Sequence, residues 1–189
     1  MGLEFELKYT AKAADLCAIK AQFGDFSPIT METTYFDTAD HALSAQKITL
    51  RRRFENGRSV CTVKTPAASY GRGEWDVQEN WSQTAVQQLF AAADLAPIPF
   101  DKLIPVCGAR FTRLAKTVTL PEFSAEIALD EGILYGGETE IPLCEVEVEL
   151  KTGSQDALCS WAAALSAAFR LTAEHRSKFK RALDLAKGE

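Results

Sequence analysis

The chain has 189 residues, of which 47% are hydrophobic and 25% charged, the proportions of an ordinary globular protein. Its 21 Lys and Arg residues against 26 Asp and Glu residues give a net charge of −5. This argues against a general nucleic-acid binder, because such proteins usually carry a basic surface. No stretch reaches the roughly 18 consecutive apolar residues that a transmembrane helix needs.

The cysteines and the start of the chain predict where the protein works. The five cysteines are odd in number and have no CxxC spacing, which favours reduced thiols. Acidic residues near the N-terminus stand where a secretory signal peptide would be apolar. We therefore expect a cytoplasmic protein with no membrane or nucleic-acid partner, in which residues 1–189 form a single domain. A homodimer is compatible with the sequence and is left open.

Alternation of apolar and polar residues predicts eight β-strands, and longer periodic stretches predict four helices. In chain order the predicted elements are a strand at 3–9, a helix at 11–23, strands at 33–36, 47–55, 58–65 and 73–80, a helix at 82–93, strands at 106–120, 125–130 and 144–151, and helices at 154–169 and 174–186. Ser154 is the expected N-cap of the third helix. The order indicates an α+β protein with a mostly antiparallel sheet.

One hairpin can be predicted in register. Asn56 and Gly57 separate two strand patterns, and this pair favours a two-residue type I′ turn. Because directly opposed residues share a face of the sheet, Arg51, Arg53 and Lys64 then project to the same side.

At least five strands have one charged and one apolar face. A sheet with one solvated side is the usual cause of this pattern. Two observations favour a barrel whose charged faces line a tunnel and whose apolar faces lie under helices packed outside. Helices are available to cover the outside, and the charges are sorted by strand, acidic at 4–6, 74–76, 126–130 and 145–149 and basic at 51–53 and 64. Carboxylates attract hard divalent cations, and Arg and Lys bind phosphate oxygens, so such a tunnel would suit a metal–polyphosphate complex.

The residues that carry these charges resemble a known family. The Glu-x-Glu-x-Lys pattern of Glu4, Glu6 and Lys8 resembles the signature of the CYTH family, also called the triphosphate tunnel metalloenzymes. Six further segments resemble the family's motifs in the same order, at 35–38, 50–53, 62–64, 126–132, 144–150 and 177–178. The resemblance implies an eight-stranded antiparallel barrel that encloses a tunnel.

The resemblance also implies roles for individual residues. The implied metal ligands are Glu4, Glu6, Glu145, Glu147, Glu149 and one or both of Asp130 and Glu126, where spacing alone does not choose between Glu145 and Glu149. The implied phosphate-binding residues are Lys8, Arg51, Arg53, Lys64, Arg113 and Lys178. The implied catalytic residues are Glu4, Glu6, Lys8 and Glu147. Arg110 and Arg113 lie on opposite faces of a regular strand, so a bulge could exchange them.

The implied function is hydrolysis of the terminal phosphoanhydride of inorganic triphosphate, with Mg²⁺ or Mn²⁺ as cofactor. Among bacterial members, the chain most resembles the inorganic triphosphatase group. The alternatives on the same fold are an adenylyl cyclase and a thiamine triphosphatase, for which Trp75 or Trp81 would have to contact the thiazolium ring. The alternative from another class is a module that binds polyphosphate or a nucleotide without turnover. His41 and His175 have no partner at zinc-ligand spacing and are expected in surface or capping roles.

Overall fold

Nine β-strands form one antiparallel sheet in the computed structural model, which describes residues 5–66 and 72–188. The strands are β1 Glu6–Thr10, β2 Ser27–Asp37, β3 Thr49–Glu55, β4 Arg58–Pro66, β5 Arg72–Val77, β6 Ile104–Leu120, β7 Phe123–Gly136, β8 Thr139–Gly153 and β9 Thr172–Ala173. Their order across the sheet is β5-β4-β3-β2-β6-β7-β8-β1-β9. All eight predicted strands are present, and the additional one is the two-residue β9. Within the described ranges, β5 and β9 remain the two edges of the sheet, and no pairing between them closes it into a complete barrel.

Five α-helices accompany the sheet in the described part of the chain. They are α1 Ala13–Phe23, α2 Ala42–Ala45, α3 Gln83–Ala92, α4 Gln155–Phe169 and α5 Lys178–Lys187, and a short 3-10 helix spans Phe100–Lys102. Ser154 caps α4 as predicted, by accepting a hydrogen bond from the backbone N–H of Ala157 at 3.2 Å. None of the helices in residues 5–66 and 72–188 is long and apolar enough to cross a lipid bilayer.

The predicted hairpin is confirmed in register. Arg51 lies opposite Thr62, and Glu55 lies opposite Arg58. Asn56 and Gly57 have φ values of 49° and 80°, the positive values that both central residues of a type I′ turn require.

The apolar faces of the strands point outward and are covered by helices, as predicted. On one side, α1 and α4 cover the outer face of β1, β7 and β8, where Ile127, Val146 and Val148 are fully buried. On the other side, α3 covers β3 and β4, where Leu50 and Val63 are fully buried. Burial of apolar surface on the convex side leaves much of the opposite face to the charged residues.

Helix α5 departs from the prediction that the helices pack outside. Its Phe179 and Leu183 belong to a buried cluster with Leu134 and Leu143, which lie on the inner face of the sheet. The close approach of α5 to β7 requires a glycine at position 136, because a Cβ on Gly136 would stand 2.2 Å from the backbone oxygen of Ala182. The helix therefore fills part of the concave side. It begins at Lys178, whereas the sequence predicted a start at residue 174, because Ser177 is its N-cap.

Candidate active site

The inner face of the sheet surrounds a cavity of about 770 Å³. Side chains from seven strands, β1 to β6 and β8, line it together with the start of α5. Its charged lining residues are Glu6, Lys8, Arg51, Arg53, Glu55, Lys64, Glu74, Asp76, Arg113, Glu147, Glu149 and Lys178. The acidic and basic strand faces therefore converge on one cavity, which favours the tunnel over a sheet with one solvated side, although β5 and β9 do not pair with each other in the described ranges.

The predicted site residues fall into four groups. Nine of them line the cavity directly, namely Glu6, Lys8, Arg51, Arg53, Lys64, Arg113, Glu147, Glu149 and Lys178. Asp130 and Glu145 are fully buried and contact Lys178. Glu126 lies on the same face of β7 as Asp130 but does not line the cavity. Glu4 lies outside the described residues.

Arg53 is a largely but not fully buried cation among other cations. Its Nε donates to the Thr33 hydroxyl at 3.2 Å, and the carboxylate of Glu55 lies 3.6 Å from its Nη1. Burial and the nearby charge of Arg51 lower the pKa of Arg53 to about 10, with a further contribution from Arg113. Three guanidinium groups thus repel one another at this place, and an anion bound among them would relieve that repulsion.

Carboxylates form a row across three strands on the opposite wall. Glu6 of β1 lies directly opposite Glu149 of β8, and Glu149 lies directly opposite Glu126 of β7. Like charges at opposed positions of a sheet are destabilising unless a cation stands near them. Lys8 contacts Glu6 at 3.0 Å, and Lys151 contacts Glu149 at 2.7 Å, so a lysine stands beside each of these two carboxylates.

A second acidic group, buried where α5 meets the sheet, consists of Asp130, Glu145 and Glu147. Lys178 makes ion pairs with all three, at 2.8 Å to Asp130, at 2.7 Å to Glu147 and also with Glu145. Arg113 makes a bidentate ion pair with Asp130 through hydrogen bonds of 2.8 and 2.7 Å, and it also contacts Glu147. Three carboxylates and their cations thus form one compensated buried network.

The network controls the protonation of its members. Burial would raise the pKa of Glu147, but the charges of Lys178 and Arg113 hold it well below its ordinary value. Glu147 is therefore ionised at neutral pH, and its contribution to stability is lost only as the pH falls through that lowered pKa. The pKa of Glu145 is raised by burial, against the opposing charge of Lys178. The pKa of Lys178 is raised, since the three carboxylates outweigh the effect of burial.

Both acidic groups offer carboxylate oxygens, which are the ligand atoms that hard divalent cations prefer. In the buried group, one oxygen from each of Asp130, Glu145 and Glu147 lies within 4.8 Å of the others. However, Lys178 already contacts all three, so a metal there would have to displace the ammonium group. In the row of Glu6, Glu149 and Glu126, the side chains of Glu6 and Glu149 line the cavity and are partly exposed, so a divalent cation can approach them without displacing a buried ammonium group.

The structure resolves one open choice and adds one residue. Arg113 faces the cavity, whereas the Arg110 side chain is 55% exposed and donates to Glu140 on the outside at 2.7 Å. Sequence analysis missed Arg181, whose Nη1 donates to Glu145 at 2.6 Å. The sequence did hold a signal for it, because Arg181 follows Lys178 by three residues in one helix, and residues i and i+3 share a helix face.

The two tryptophans do not line the cavity, and the two histidines lie in surface or capping positions, as expected. Trp75 and Trp81 pack in the cluster under α3, on the outside of the sheet, as core aromatics. His175 is an exposed residue at the cavity lining, and His41 lies 4.0 Å from the buried Asp37.

Comparison with known proteins connects this geometry to a family. The sequence pattern of the CYTH domain matches residues 2–183 of the chain. An inorganic triphosphatase from Haemophilus influenzae is 32% identical over 126 residues, which are 64% of this chain and 36% of that protein. The chain thus spans about a third of the length of this curated relative.

Solved structures share the fold. A putative adenylyl cyclase from Hippeastrum, described as having a dominant triphosphatase activity, superimposes with a TM-score of 0.68 at 17% identity, over 100% of this chain and 97% of that one. A putative adenylate cyclase from Bacillus halodurans gives a TM-score of 0.64 at 18% identity, over 95% of this chain and 96% of that one. At these identities the likeness concerns the fold alone.

The buried network predicts an unequal effect of two charge removals on the same face of β7. Asp130→Asn leaves Lys178 and Arg113 undercompensated, so we expect it to lower the free energy of unfolding by about 3–5 kcal/mol. Glu126→Gln removes a like charge from the acidic row and should change that energy by no more than about 0.5 kcal/mol. Urea unfolding at neutral pH measures both. Equal losses in the two variants would contradict the proposed role of the network.

Proposed function

The chain belongs to the CYTH family, and we propose that it is a metal-dependent hydrolase that cleaves the terminal phosphoanhydride bond of inorganic triphosphate. The observation that carries the proposal is the meeting of two walls across one cavity, with the largely buried guanidinium of Arg53 on one and the row of Glu6 and Glu149 on the other. A neutral ligand would compensate neither wall. A polyphosphate with a divalent cation would compensate both.

The proposed phosphate-binding residues act mainly through charge. Transfer of a phosphoryl group spreads negative charge over its oxygens, so catalysis depends on positioning and on cations placed in advance. Arginine adds direction, because its planar fork donates two parallel hydrogen bonds to phosphate oxygens. The proposed residues are Lys8, Arg51, Arg53, Lys64, Arg113 and Lys178.

Bound Mg²⁺ or Mn²⁺ would add positive charge at the phosphate oxygens and acidify a nearby water molecule. We propose that Glu6, Glu149 and Glu126 hold the metal, together with Glu4, which precedes Glu6 by two residues in the sequence. Asp130, Glu145 and Glu147 are the second candidate set, and they would act only if Lys178 withdrew.

Glu147 has a proposed role that follows from its charge state. Because its pKa is held well below the ordinary value, its carboxylate accepts hydrogen bonds at neutral pH but is a weak base. We therefore propose that Glu147 orients the attacking water. The proton of that water would leave to solvent or to phosphate, and no Ser or Cys nucleophile is required.

Two alternatives use the same cations. An adenylyl cyclase would direct a ribose hydroxyl to the α-phosphorus of ATP. A thiamine triphosphatase would need an aromatic contact for the thiazolium ring, and the outward packing of Trp75 and Trp81 argues against these two residues. The name of the Haemophilus influenzae relative supports inorganic triphosphate as the substrate. We further propose a single domain that works in the cytoplasm.

Phosphate release from tripolyphosphate, ATP and thiamine triphosphate, each with Mg²⁺, with Mn²⁺ and with a chelator, tests the proposal. We expect the highest kcat/KM for tripolyphosphate with one of the two metals and no turnover with the chelator, because a divalent cation is part of the mechanism. Pyrophosphate and cyclic AMP formed from ATP would indicate a cyclase. Binding of tripolyphosphate without turnover under any condition would indicate a binding module and contradict the hydrolase.

Two arginine variants test the position of the phosphate. Arg53→Met removes a buried guanidinium from the cavity, so we expect kcat/KM for tripolyphosphate to fall by about 100-fold or more. Arg110→Met makes the same change on the outside, at a residue whose contact is Glu140, and should leave kcat/KM within about twofold. Circular dichroism of both variants controls for folding. Comparable activity of the two folded variants would refute the placement of phosphate at Arg53.

A further inference from the structure

We propose that Glu74 is an internal anion that occupies phosphate-binding cations of the cavity and makes the site select tripolyphosphate over orthophosphate. The inference rests on the proposed function in one respect, namely that Arg51 and Lys64 bind phosphate oxygens. It assigns to β5 a role in ligand selection.

The contacts of Glu74 carry the inference. Glu74 lies directly opposite Lys64 in the pairing of β4 with β5. Its Oε2 is 3.0 Å from Lys64 Nζ, and its Oε1 is 3.3 Å from Arg51 Nη2. Its side chain lines the cavity and is 20% exposed. One carboxylate thus uses both oxygens to bridge two cations on neighbouring strands.

A bridging carboxylate resembles a bound phosphate. It presents two negatively charged oxygens to the same N–H donors that phosphate oxygens would take. A phosphate group that approaches Arg51 and Lys64 must therefore displace Glu74 or lie beside its negative charge. Either course weakens binding of the phosphate.

The other carboxylate of β5 makes a different contact. Asp76 accepts a hydrogen bond from the Thr62 hydroxyl at 2.5 Å. The two acidic residues share one face of the strand, yet Glu74 contacts two cations whereas Asp76 contacts a neutral hydroxyl. Competition with phosphate at Arg51 and Lys64 is therefore assigned to Glu74.

Competition by Glu74 penalises small anions most. Tripolyphosphate can contact Arg53 or Arg113 with one phosphoryl group, which places its other groups beside Arg51 and Lys64 at a high effective concentration. Orthophosphate has one phosphoryl group, so it can occupy Arg51 and Lys64 only by competing with Glu74 without that advantage. The site would then retain the substrate and release the orthophosphate product.

Isothermal titration of tripolyphosphate and orthophosphate in chelator tests the inference without turnover. We expect Glu74→Gln to tighten orthophosphate binding about tenfold, as expected for removal of one close competing charge, and to tighten tripolyphosphate binding less. Glu140→Gln removes the same charge from an Arg–Glu pair outside the cavity and should leave both dissociation constants within about twofold. Glu74→Asp keeps the charge but shortens its reach, so its orthophosphate affinity should lie between those of the wild type and Glu74→Gln.

The outcomes separate this inference from the hydrolase proposal. Unchanged or weaker orthophosphate binding in folded Glu74→Gln would overturn the inference, as would equal tightening in Glu140→Gln. Weaker Mn²⁺ binding in Glu74→Gln, with phosphate affinities unchanged, would identify Glu74 as a metal ligand instead and also overturn it. A wild-type protein that binds both phosphates but hydrolyses neither would end the hydrolase proposal and leave the role of Glu74 standing.

Discussion

Charge compensation on the concave face is the constraint on which the rest of the structure depends. Most apolar strand residues lie on the convex face under α1, α3 and α4 or beneath α5, so the rest of the concave face carries carboxylates, guanidiniums and ammonium groups. Buried charges are tolerated only when they are paired. Lys178 contributes most to this pairing, because it meets three carboxylates at once and thereby fastens α5 to β7 and β8.

The same pairing explains how the cavity can bind a charged ligand without collapse. All six proposed phosphate-binding cations contact a carboxylate of the cavity wall or of the network behind it, as Lys8 does with Glu6 and Arg51 with Glu74. These contacts hold the cations in position in the absence of ligand, and fixed charges need little reorganisation during a reaction. A metal–polyphosphate complex would exchange partners with both sides of such pairs. Metal and phosphate binding are therefore expected to favour one another.

Much of the fold followed from alternation, and some of it could not. The period of two gave all eight longer strands, and the Asn56-Gly57 turn fixed the register that puts Arg51 and Arg53 on one face. The position of α5 on the concave side could not be predicted, because an amphipathic helix has the same sequence pattern on either side of a sheet. The ion-pair partners of the charged residues could not be predicted either, because they depend on which strands and helices are neighbours in the fold. Asp130 and Lys178 are 48 residues apart and meet only through the packing of α5 against β7.

The most direct test of the central claim is a crystal structure of the protein with Mn²⁺ and a non-hydrolysable triphosphate analogue, with the metal located by its anomalous scattering. We expect the phosphoryl groups to lie against Arg51, Arg53 and Arg113 inside the cavity, with the anomalous peak between them and the carboxylates of Glu6 and Glu149. A metal and an analogue bound on the convex surface, or at two separate places, would contradict the claim that cation and polyphosphate meet within the sheet.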